Sequence, residues 1–92
     1  MSETAFVPAA LFASGYQSGE IHAIVGTDHS AFVAASYVRA DRLPANPEDQ
    51  VNGQVLVFVI QRGPTETLVE LPGIAVGGLR GWVPSANVVP GP

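Results

Sequence analysis

Ten glycines and eight prolines are spread along a chain of 92 residues, and only short runs of β-branched and aromatic residues lie between them. Proline removes a backbone donor and glycine weakens regular structure, so elements this often interrupted are strands and turns rather than long helices. No segment shows a capped 3.6-residue apolar period. Ala31–Arg39 comes nearest to one, but Phe32, Val33, Tyr37 and Val38 favour a strand. The length allows one core, so an all-β single domain is expected.

Strands are expected over Glu20–Val25 and Ala31–Arg39, paired as a hairpin around Gly26–Ser30. Pro44 and Pro47 mark residues 39–50 as a polar loop, and Asn52-Gly53 reads as a tight turn. Val55–Ile60 is apolar at every position, which predicts a strand covered on both faces. In Glu66–Leu71 the residues alternate, with Thr67, Val69 and Leu71 on one face and Glu66, Leu68 and Glu70 on the other. Pro72–Gly78 is a glycine-rich turn before a strand over Leu79–Val83. No internal repeat, charge run or low-complexity tract is legible.

Residues 1–19 read as an extended arm ahead of a domain spanning residues 20–92, with Phe6, Val7, Leu11 and Phe12 as its anchors. Burying four such side chains is worth about 6–12 kcal/mol in total. Ordering a backbone costs about 1–2 kcal/mol per residue. Side-chain burial alone therefore does not hold the arm, which requires backbone pairing or a partner.

The segment Gly81-Trp-Val-Pro-Ser-Ala-Asn-Val88 resembles the end of an SH3 domain, where the last hairpin strand enters a 3₁₀ turn and a short closing strand. Counted back from it, Phe32–Val38, residues 39–53, Gln54–Gln61 and Glu66–Leu71 fall where the family has its first strand, its long RT loop and its middle strands. The resemblance implies a small SH3-like barrel over about residues 32–89. It also implies a groove for an extended proline-rich peptide, with Pro84 and Tyr37 at groove positions and Glu48 and Asp49 facing a basic ligand residue. Asn87 stands where the family has a groove tyrosine.

The charge balance narrows the partners. Eight acidic residues against four basic ones give a net charge of −4, the wrong sign for gripping phosphates, so nucleic acid is not an expected partner. The absence of cysteine excludes disulfides and thiolate chemistry. No stretch reaches membrane-spanning length, and Ala5–Ala13 is too short and too lacking in basic residues ahead of it for a signal peptide. His22, Asp28 and His29 are the one cluster resembling metal ligands, and they read as turn residues. Ser30 beside His29, Glu48-Asp49 and Glu66/Glu70 lack the arrangement that catalysis requires, and Gly73–Gly78 lacks the lysine of a phosphate loop. No enzyme, metal or cofactor is expected.

Apolar residues make up 47% and charged residues 13%, more grease than a small barrel hides. The expectation is a non-enzymatic structural subunit of a large, oligomeric assembly. A bacteriophage virion component fits it best, packing on neighbouring subunits through Phe6, Val7, Leu11, Phe12, Tyr37, Trp82 and Pro84. The alternative is an SH3-like adaptor that binds a peptide. The location follows the function, in a virion or in the cytoplasm.

Overall fold

In the computed structural model, which describes residues 3–14, 19–26, 29–75 and 79–91, the chain forms one antiparallel sheet curled into a nearly closed barrel. Its strands are β1 (Glu3–Ala13), β2 (Glu20–Val25), β3 (His29–Ala34), β4 (Val38–Arg39), β5 (Val51–Gln61), β6 (Glu66–Glu70), β7 (Ile74–Ala75), β8 (Arg80–Pro84) and β9 (Val89–Pro90). The order across the sheet is β7-β3-β2-β1-β5-β6-β8, with β4 added on β5 and β9 on β1. Two 3₁₀ turns, Ala35–Tyr37 and Ser85–Asn87, follow β3 and β8.

The expected arm is the correction with the widest consequences. Glu3–Ala13 does not precede the barrel; it runs up the middle of it. β1 pairs with β5 along most of its length, with β2 through Ala10–Ala13 and with β9 through Ala5 and Phe6. Of the two ways to hold this segment, backbone pairing prevails. Its odd residues Ala5, Val7, Ala9 and Leu11 point into the core beside Ile21, Ala23, Val33, Val55, Val57 and Val69. Pro8 sits where β1 has a neighbour on one side only, between the stretch paired with β9 and the stretch paired with β2, the position at which a strand tolerates a missing donor.

Asn52-Gly53 is not a turn. Both residues lie inside β5, opposite Ala10 and Ala9. Gly53 is there for space: a Cβ would overlap the Arg39 carbonyl oxygen and come within 2.9 Å of Leu11 Cδ1. The strand expected over Ala31–Arg39 ends at Ala34, where the first 3₁₀ turn begins. The alternation of Glu66–Leu71 is as expected, with Thr67, Val69 and Leu71 buried. So are the Ser85–Asn87 turn and the short closing strand. That closing strand pairs with β1 rather than with residues near Phe32, so the barrel begins at β1.

The backbone also carries a repeat that the sequence hides. β1, β2, β3, a 3₁₀ turn and β4 are followed by β5, β6, β8, a 3₁₀ turn and β9 in the same order. The registers match as well: Glu20↔Ala34 and His22↔Phe32 in the first half correspond to Glu66↔Pro84 and Leu68↔Trp82 in the second. Ala35 donates its N–H to the Gly19 carbonyl at 2.8 Å, as Ser85 does to Thr65 at 2.9 Å. Arg39 pairs with Gln54 as Val89 pairs with Phe6. Val7 and Val55 are equivalent in this scheme and pair with each other, so a pseudo-two-fold axis passes between them.

Candidate functional site

The interior accounts for several residues expected at an interface. Val7 and Leu11 are fully buried inside the barrel. Phe6 points to the outer face but is covered by Arg39, whose guanidinium carbon lies 3.8 Å from the ring centroid. These three are therefore fold residues. Phe12 is partly exposed on the outer face, in a row with His22 and Phe32 on the neighbouring strands, with ring centroids 6.3 Å and 5.1 Å apart.

His22 Nε2 has no hydrogen-bond partner. Burial between the two phenylalanines holds its imidazole below the ordinary value of 6.5. The unfolded chain then takes up a proton more readily than the folded one, so stability present near neutral pH is lost as pH falls below about 6.5. The melting temperature is expected to drop between about pH 7.5 and about pH 5.5, a window above the range in which the carboxylates protonate. In His22→Leu, which installs the residue type of the equivalent Leu68, that slope should flatten. An unchanged slope would assign the loss to another group.

Trp82, Pro84 and Tyr37 separate into two places. Trp82 is 49% exposed on β8, although it is the only tryptophan and the largest side chain in the protein. With Pro84 it borders a concavity of about 190 Å³ in the barrel seam, whose other walls include Pro8, Val25, Gly26 and His29. On its far side Trp82 borders a wider concavity of about 400 Å³ with Gln61, Pro64 and Glu66. Tyr37, exposed on the first 3₁₀ turn, lines neither. By the pseudo-two-fold its counterpart is Asn87, which does stand on the seam. Pro84 and Tyr37, the groove positions implied by the family resemblance, thus fall on opposite halves of the barrel.

Pro8, Pro64, Glu66 and His29 complete this region, and sequence reasoning did not assign them to it. Two prolines exposed beside an exposed tryptophan were a usable signal, but one that only the tertiary fold brings together. The rim is held firmly. Thr67 is fully buried, and its hydroxyl donates to Ser85 Oγ at 2.8 Å; Ser85 in turn donates to the Gly63 carbonyl at 2.7 Å. That chain ties the 62–65 turn to the second 3₁₀ turn.

Every arginine is engaged. Arg42 grips Asp49 with two hydrogen bonds of 2.6 and 2.8 Å, and with the Ala45 N–H it holds the Asp49 carboxyl well below the usual carboxylate range. Arg62 binds Glu3, Arg80 binds Glu70 at 2.6 Å, and Arg39 covers Phe6. Asp49 is therefore committed to Arg42, whereas Glu66 has no ion pair among the described residues. His22 and His29 occupy opposite faces of the β2–β3 hairpin, since His29 faces the core side with Val25 and His22 the outer side with Phe32, so they do not converge on one ligand. No helix among the described residues is long and apolar enough to cross a membrane. No family model, curated protein or solved structure matches the chain.

Proposed function

We propose that this protein is a non-enzymatic subunit that docks on protein neighbours in a larger assembly, through the β8 face around Trp82. A single observation carries the reading: the largest side chain of a small domain is half exposed between two concavities, with Pro8, Pro64 and Pro84 around it. Burying that ring in its own core would have contributed to stability. Tryptophans left at the surface in a shaped, partly apolar setting are typical anchors of protein interfaces. A virion shell, head–tail joint or tail is the setting proposed, with a cytoplasmic complex as the cellular counterpart.

The surface differs from the one the sequence suggested. Donation of residues 1–19 to a neighbour has no part in the proposal, because Glu3–Ala13 is spent inside its own barrel. We read the barrel as SH3-like in its second half, where β5, β6 and β8 form a meander that leads through a 3₁₀ turn into β9. The peptide groove of that family is supported only by Trp82 and Pro84, since Tyr37 lies elsewhere.

A photo-crosslinking aromatic residue placed at position 82 in the native source tests the reading. Adducts with proteins of one large assembly are expected, about tenfold more abundant than from the same residue at the exposed position 36. Equal yields at both positions would remove the proposal.

A further inference from the structure

The two halves of the barrel differ at one place that bears on what Trp82 meets. β3 and β8 are equivalent strands. At the two ends of β8 the Leu71 N–H donates to the Leu79 carbonyl and the Ser85 N–H to the Thr65 carbonyl. Antiparallel ladders alternate, so Gly81 and Val83 turn their backbone groups toward β6, while Arg80, Trp82 and Pro84 turn theirs away. The same phase in β3 turns the Phe32 backbone away from β2, and there β7 pairs with it, Phe32↔Ile74 and Ala31↔Ala75. The fit is close: a Cβ on Gly73 would overlap the Phe32 carbonyl oxygen and come within 3.3 Å of Val33 Cγ1.

Among the described residues β8 has no such cover. It ends the strand path and pairs only with β6. Past β6 the chain returns as β7 (Ile74–Ala75) along the edge of β3, whereas among the described residues no segment of the first half pairs with β8. The seam concavity lies at this spot. Its walls Val25, Gly26, Trp82 and Val83 are the counterparts of Leu71, Pro72, Phe32 and Val33, the residues at which the β7 segment leaves β6 and lies against β3. The seam also holds an unsatisfied polar atom, His29 Nδ1.

Charge specifies the occupant further. Glu66 stands beside the Trp82 indole in the wider concavity and has no ion pair among the described residues. An aromatic face next to an unpaired carboxylate is a site for a cationic side chain. The chain itself supplies none, since it has no lysine and all four of its basic residues are engaged. That argues against a second copy as occupant.

We propose that the seam beside β8 accepts an extended segment of a partner protein, paired antiparallel with Trp82 as β7 is with Phe32, and carrying an arginine or lysine that lies over the Trp82 indole against Glu66. Strand addition of this kind draws affinity from backbone hydrogen bonds and specificity from the flanking side chains. The inference rests on the docking reading above and names what docks.

The lone tryptophan makes the test direct. The probe is a synthetic peptide copying residues 71–75 with one arginine appended, and its control ends in glutamate instead. Titrated into the intact chain, the arginine peptide is expected to change Trp82 emission saturably and to shift the amide signals of Trp82, Val83 and Gly26. The glutamate peptide should bind about tenfold more weakly, and Glu66→Gln should weaken the arginine peptide by about threefold to tenfold. Equal affinity for both peptides, or shifts confined to the Phe12–His22–Phe32 face, would overturn the proposal. So would self-association of the chain that Trp82→Glu abolishes, which would make a second copy the occupant. If peptides fail while crosslinks from position 82 persist, strand acceptance falls and docking stands; if both fail, both fall.

Discussion

A chain lacking Glu3–Ala13 is expected not to fold. β1 pairs with β5, β2 and β9, so removing it leaves the first hairpin joined to the second meander only by the two-residue pairings β4–β5 and β3–β7. Val7 and Leu11 are fully buried, and each such side chain is worth about 1.5–3 kcal/mol in burial. The loss extends past those residues. β2 and β5 would each acquire an open edge, and Ile21, Val55 and Val57, which share the core with β1, would be uncovered. Burial of these five side chains is worth about 7–15 kcal/mol together, as much as the whole net stability of about 5–15 kcal/mol that a domain of this size has. The truncated chain should show collapsed amide dispersion and no cooperative thermal transition. A folded truncation would mean that the segment is a detachable arm, and the donation of an arm to a neighbour would return as a mechanism.

That prediction inverts the expectation from sequence, under which residues 1–19 are an arm ahead of a domain spanning residues 20–92, and the reason is physical. Ala5, Val7, Ala9 and Leu11 alternate with Phe6, Pro8, Ala10 and Phe12, so the period-two signal is lost because the outer face is apolar too. Phe6 is apolar and outward because Arg39 roofs it, a contact between residues far apart in the chain. Glu66–Leu71 was readable because its outer face is charged. The Ser85–Asn87 turn and β9 were readable because Gly81–Val88 resembles the end of an SH3 domain. Asn52-Gly53 misleads for the opposite reason: this glycine answers to packing against Arg39 and Leu11, and its dipeptide looks the same as a turn.

The repeat escaped notice because a barrel constrains so little of the sequence. Equivalent positions share a residue at Val7/Val55, Glu20/Glu66, Val33/Val83 and Val38/Val88, and elsewhere only the inward or outward class is kept. The connecting turns differ in length between the halves, which breaks any fixed period. Trp82 is legible from its residue type and Pro84 from the family resemblance. Their separation from Tyr37 was not legible, since it follows from the axis that sets the two 3₁₀ turns on opposite halves.

Leu11→Ala should cost about 2–5 kcal/mol, the range for a fully enclosed leucine whose cavity does not collapse. Leu11 is the largest of the fully buried side chains. It stands opposite Val51 on one side and Ala23 on the other, and Gly53 leaves the space its Cδ1 fills. None of these neighbours is a long, flexible side chain able to swing into the void. Its pseudo-symmetric counterpart is Val59, which is only partly buried, so Val59→Ala should cost about 1 kcal/mol, near the lower end for core truncations. At roughly 4–8 °C per kcal/mol for a domain of this length, the two variants should melt well apart, each still in a single transition. The comparison separates geometry from energy: the backbone of the barrel is nearly symmetric, but its largest enclosed residue lies in the first half. Equal losses at the two sites would mean that the core is shared evenly across the axis.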